Sequence, residues 1–137
     1  MNNNADMGPE NRSAVNWFEI PTTDFERAVT FYETIFATKL HRMEIAAGTL
    51  TPTPMAVFPS SGAGATGALV YIPEHKHAAA GPLLYLNANP NLDVVLARVE
   101  EAGGKLLMGK TQLPNNFGYM AIFFDSEGNH MALHSNE

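Results

Sequence analysis

Few side chains in this sequence could do chemistry, and most of them sit on short extended stretches. Glu19 lies inside Trp17-Phe18-Glu19-Ile20, and His130 and His134 bracket the apolar run Met131-Ala132-Leu133. A carboxylate in the middle of a strand is costly unless it is paired, hydrogen-bonded or wet, so Glu19 needs a reason to be there. His134 titrates near neutrality. A Glu19–His134 pair across a cavity would satisfy both groups, and it would equally make a general base or an anchor for a polar ligand. Structural and functional use are both open at this point. His130 and His134 cannot share one ion, because residues four apart in a strand are about 13 Å apart. A site built from Glu19, one histidine and a residue of a second subunit is the metal-binding alternative. Trp17 and Tyr85 read either as core filling or as the aromatic wall of a ligand cavity, and Asn87 points the same way as Tyr85. His75 and His77 form an H-x-H in a connecting segment that reads as solvated, and His41 has no assigned role. There is no P-loop, G-x-G-x-x-G, G-x-S-x-G or H-E-x-x-H pattern.

The elements that must position these residues are written twice. Met55-Ala56-Val57-Phe58 is echoed by Met120-Ala121-Ile122-Phe123, and Trp17–Ile20 lies over Leu83–Leu86. Lys39-Leu40 falls on Lys105-Leu106, and Ala68 falls on Ala132. Val15 to Pro21 alternates as a strand does, with Phe18 and Ile20 on one face and Trp17 and Glu19 on the other. Thr22-Thr23-Asp24 offers a helix N-cap, and Phe25, Ala28, Val29, Tyr32, Ile35 and Phe36 recur at helical spacing. Short extended pieces follow between 39 and 59, broken by Gly48, Pro52 and Pro54, then a strand from Gly67 to Ile72. The second copy repeats the order. Its strand runs from Leu83 to Ala88, its helix is turned and capped by Asn89-Pro90-Asn91 and ended by Gly103-Gly104, and its last strands cover 105–108, 119–124 and 130–134. Each copy is βαβββ.

Composition bounds the rest. A chain of 137 residues that is 45% hydrophobic can bury one good core and is too short for two ordinary domains, so the two copies must share it. Residues 1–13 read as a flexible N-terminal tail. Residues 14–137 form a single domain, with module 1 about 14–73, a linker 74–82 and module 2 about 83–135. With no cysteine, no long apolar run and a polar start unlike a signal peptide, a cytoplasmic protein without membrane contact is expected. The net charge of -6 argues against nucleic acid as a partner.

The segment Asp24-Phe25-Glu26-Arg27-Ala28-Val29-Thr30-Phe31-Tyr32 fits D-x-x-x-A-x-x-F-Y, and Asp125-Ser126-Glu127-Gly128-Asn129 fits D-x-x-G-N. Together they resemble the vicinal oxygen chelate superfamily of glyoxalase I, extradiol dioxygenases and bleomycin-resistance proteins, over roughly residues 14 to 135. The resemblance implies an α+β fold in which two tandem βαβββ modules form a curved mixed-sheet cup with helices on the outside. It implies a homodimer as the expected assembly. It also implies that metal-bearing members draw their ligands from the first and last strands of each module, positions that fall here on Trp17, Ala68, Leu83 and Ala132. None of those side chains can bind a divalent ion. The expected protein therefore holds a small, partly apolar ligand without the family's metal or another cofactor, with Trp17, Tyr85, Asn87 and His130 as ligand contacts and Glu19 and His134 as the candidate catalytic groups. The alternative is a glyoxalase-type lyase, isomerase or dioxygenase with a rebuilt metal site.

Overall fold

A computed structural model describes residues 15–45, 52–62, 64–76 and 82–137. The expected tail, Gly48 and most of the linker, His77 included, lie outside the described residues. In chain order the elements are β1 (Trp17–Thr22), α1 (Phe25–Phe36), β2 (His41–Ile45), β3 (Thr53–Val57), β4 (Thr66–Tyr71), β5 (Tyr85–Asn87), α2 (Asp93–Val99), β6 (Lys105–Gln112), β7 (Tyr119–Phe124) and β8 (His130–Ser135). They form two four-stranded sheets, ordered β1-β4-β3-β2 and β5-β8-β7-β6. In each sheet the first and last strands of the module run parallel, and the remaining pairs are antiparallel. The duplicated βαβββ plan is therefore observed.

Local chemistry explains most boundaries. Asp24 is the α1 N-cap, its carboxylate accepting from the Arg27 amide at 3.1 Å. Ala37 closes the helix in the left-handed region at φ 50. Several expectations shift at the edges, and α2 ends at Val99, short of Gly103-Gly104. α2 starts one residue later than a cap at Asn91 would set it: Leu92 holds the N-cap position, and Asn91 Oδ1 accepts from the Asp93 amide instead. β6 continues past Met108 to Gln112, because register shifts between Leu106 and Met108 and between Met108 and Thr111 absorb extra residues without ending the ladder. β5 is shorter than Leu83–Ala88.

One core serves both modules. Ile20, Ala56 and Leu69 from the first sheet join Leu86, Ala121, Phe123, Met131 and Leu133 from the second, with the buried sides of both helices between them. Phe31 is absent from the expected helical stripe yet fully buried. It faces module 2, with its ring 6.2 Å from that of Phe123, while Ala28, Val29 and Tyr32 complete the buried side. Arg98 of α2 donates to the Ile35 carbonyl near the end of α1 at 3.1 Å.

The tight turn between β7 and β8 then ties module 2 to the start of α1. Glu127 has a side chain with no exposure. It accepts from the amides of Thr23 at 3.0 Å and Asp24 at 2.8 Å and pairs with the Arg27 guanidinium at 2.7 Å. Asn129 Nδ2 donates to the Pro21 carbonyl, and Tyr32 donates to Asp125 at 2.8 Å. Burial alone would raise the Glu127 pKa. Arg27, the Asp24 amide and Ser126 outweigh it and hold the carboxyl at about 2. Asp125 goes the other way: burial raises its pKa despite donors from Asn129 and Tyr32.

A carboxylate whose folded pKa lies below its ordinary value near 4.5 stabilises the fold above that value and loses the contribution as pH falls toward 2. The shift corresponds to about 3 kcal/mol, partly offset by proton uptake at Asp125. Urea denaturation should therefore show Glu127→Gln destabilised by about 2–4 kcal/mol at pH 7. The gap between it and the unmutated protein should narrow as pH falls from 4.5 to 2.5. A change under about 0.5 kcal/mol at pH 7 would show that the seam does not depend on this group.

Candidate functional site

Strand register assigns the open face of each sheet, since side chains directly paired across strands share a face. In sheet one Ile20 pairs with Leu69 on the core side, so Trp17 with Thr66, Glu19 with Ala68 and Pro21 with Val70 lie on the other. Met55 and Val57 continue that face, and His41 and Met43 end it. A row therefore reads Glu19, Ala68, Val57, His41. In sheet two the corresponding rows read Tyr85, Ala132, Ile122, Met108 and Asn87, His134, Met120, Thr111, with His130 beside Phe124. Glu19 and Tyr85 thus hold equivalent places, each opposite an alanine of the last strand of its module.

Several of the residues singled out from sequence share these faces, but they do not combine as a catalytic pair. Trp17 Nε1 donates to Glu19 Oε2 at 3.2 Å, on a surface where Trp17 remains 42% exposed. His134 sits on the other sheet, where its Nε2 is bonded to the Phe117 carbonyl. Glu19 and His134 are not hydrogen-bonded to each other. Gly118 permits the loop to approach this closely: its φ is +90, and a Cβ there would lie 3.2 Å from His134 Nε2. His130 packs its ring 5.7 Å from Phe124. Tyr85 is 50% exposed with its hydroxyl 4.0 Å from Met120 Sδ, and Asn87 Oδ1 accepts from the Asn89 amide at 2.9 Å.

The four positions that the resemblance implied for metal ligands, Trp17, Ala68, Leu83 and Ala132, carry an indole, two methyl groups and an isobutyl group, none with a lone pair for a divalent ion. The register sets Glu19 beside Ala68 and Tyr85 beside Ala132, which leaves Glu19 as the one carboxylate next to the two alanines. Ala68 and Ala132 are fully buried in the middle of their rows, so the donor set does not fit a metal centre there. Among the described residues no group of three or more His, Asp or Glu side chains converges as a metal site would require. His75 lies in the connection after β4.

Sequence reasoning missed two parts of the site. His41 shares the open face with Glu19, and the alternation of His41 and Met43 against Arg42 and Glu44 was the available signal: Arg42 faces the other way, pairing with Glu26 at 2.7 Å. Met55, Val57, Val70, Met120 and Ile122 supply most of the apolar lining, and no sequence feature separates them from core.

The class follows from this architecture and its motifs. The Glyoxalase/Bleomycin resistance protein/Dioxygenase superfamily model matches residues 14–133, and the chain belongs to that superfamily. A glyoxylase-like domain-containing protein from Didymella fabae is 30% identical over 124 residues, spanning 87% of this chain and 91% of its relative. Among solved structures, TnmS3, an antibiotic-binding protein from a Streptomyces species, matches with a TM-score of 0.56 at 23% identity, over 91% of this chain and 97% of its own. A glyoxalase I variant from Zea mays matches with a TM-score of 0.60 at 19% identity, over 88% of this chain and 46% of its own. Both structural likenesses speak for the fold.

Glu19 should behave oppositely to Glu127. Glu19→Gln removes the charge of an exposed group whose side-chain hydrogen bond is to an exposed indole, so urea denaturation should place it within about 0.5 kcal/mol of the unmutated protein. A loss above about 2 kcal/mol would mean that Glu19 serves the fold rather than the open face.

Proposed function

We propose that this protein binds a small, partly apolar molecule on the open faces of its two sheets without the family's metal. The observation that carries the reading is the pair of buried alanines, Ala68 and Ala132, opposite Glu19 and Tyr85, where a metal-dependent relative would need ligating side chains. Around them the lining is apolar, and the exposed Trp17 and Tyr85 give flat surfaces for a ring. Glu19, Asn87, His130 and His134 are the polar groups that would orient the ligand. TnmS3 is an antibiotic-binding protein of this architecture, and it supports the reading by analogy alone.

The enzymatic alternative rests on Glu19 and His134 acting as bases, or on a metal site rebuilt with a second subunit. Glu19 and His134 have separate partners on separate sheets, which favours anchoring over joint proton transfer. A homodimer belongs to the proposal: Trp17, Met43, Tyr85 and Leu107 are large apolar groups left exposed by one chain, and a second copy would cover part of them.

Trp17 is the single tryptophan of the chain, so its fluorescence reports directly on the open face. In a screen of neutral aromatic compounds with and without a chelator, the proposal predicts saturable changes in Trp17 emission that the chelator leaves unaltered, and about tenfold weaker binding in Tyr85→Ala. Binding that disappears with chelator would move the assignment to the metal-dependent alternative.

A further inference from the structure

A concave feature lies apart from the centres of the open faces. Between the edge strands of the two sheets lies a groove of about 660 Å³, a size typical of small-molecule sites. One wall is aromatic. Phe18 and Phe58 stand with ring centroids 5.9 Å apart, backed by Phe36 at the end of α1. The opposite wall is β5 and its approach, with Leu84 and Leu86 presenting apolar side chains. Phe18 and Leu86 belong to the helix-covered faces of their sheets; Trp17, Glu19, His130 and His134 do not line the groove, whereas Tyr85 and Asn87, on the free edge of β5, border both the groove and the open face.

Two features hold the aromatic wall in place. Gly67 leaves room for the Phe18 ring to lie against β4, since a Cβ there would come within 2.6 Å of Phe18 Cγ. The Phe58 amide donates to the Gly67 carbonyl at 2.9 Å, and Thr66 Oγ1 donates to the Phe58 carbonyl at 3.1 Å, fixing the second ring beside the first. The polar fringe comes from backbone. β8 takes the Leu84 carbonyl and the Ala88 amide, so the alternation of a parallel ladder turns the N–H and C=O groups of Tyr85 and Asn87 to the free edge of β5. Those groups, with the Thr38 hydroxyl and the Asn87 amide, can meet one or two polar atoms of a ligand. No charged side chain is among the described residues lining the groove, so an ion would have no counter-charge there.

From this geometry we infer that the seam between β1 and β5 is a second ligand site, on the helix-covered side of the sheets and meeting the open face only at Tyr85 and Asn87, for an uncharged and mostly apolar ring compound bearing a hydroxyl or carbonyl. Ligand here bridges the two modules through Phe18 and Phe58 on one side and β5 on the other. The test uses Nile red, a neutral fluorescent ring compound with a carbonyl, titrated into the full chain while methyl resonances are followed by NMR. The expected result is saturable one-to-one binding that shifts the methyls of Leu83, Leu84 and Leu86. Ala65, exposed at the rim, can be enlarged without touching the core, and Ala65→Phe should weaken binding about tenfold with an unaltered melting temperature. Shifts at Val57, Met120 and Ile122 instead, binding by Ala65→Phe within about twofold of the unmutated chain, or no saturable binding would each overturn the assignment.

Discussion

Glu127 is the group on which the arrangement of the two modules rests. A buried carboxylate is tolerable only when its charge is met by well-placed donors, and here all but the neighbouring Ser126 hydroxyl come from the other half of the chain, among them the amides of Thr23 and Asp24 and the Arg27 guanidinium. The same amides open α1, so the carboxylate also lies where the helix end favours negative charge. Turn, helix and strand end are thereby joined at one point. Asn129 on Pro21 and Asp125 beneath Tyr32 extend the junction along the seam.

With that junction made, packing does the rest. α1 has buried residues over more than a narrow stripe because it touches both its own sheet and module 2, which is why Phe31 meets Phe123. Both sheets turn one face to the shared core and leave the other open. The strict alternation of a strand then decides which side chains are available: Glu19 and Tyr85 are, whereas Ile20 and Leu86 are not. The last strand of each module contributes only a methyl group at the middle of its row, Ala68 or Ala132. A surface of this kind offers apolar area and a few orienting groups. Multiple ligating side chains around one point are missing from those rows.

Much of the fold was legible because its signals are local. The alternation in Trp17–Ile20 and His130–His134, the helical stripe beginning at Phe25 and the Asp24 cap each depend on neighbours in sequence, and the duplication tied them together. Features set by distant contacts were not legible. The burial of Phe31 depends on Phe123, the length of β6 depends on shifts against β7, and the 660 Å³ seam depends on how far apart two strand edges settle. At the candidate site, the open-face placement of Trp17, Glu19, Tyr85 and His130 could be read from period two alone. The partner of each polar group could not: Glu19 meets Trp17 rather than His134, and the Phe117 carbonyl that meets His134 is supplied by a loop whose path no pattern encodes.

The claim that ligand is held without metal is tested most directly by metal analysis of untagged protein together with calorimetric titration of nickel, zinc, manganese and ferrous ions. The account predicts no stoichiometric metal as purified and no binding tighter than about millimolar at the positions of Trp17, Ala68, Leu83 and Ala132. One tightly bound ion per chain would contradict it and make metal-dependent catalysis the leading explanation of the site.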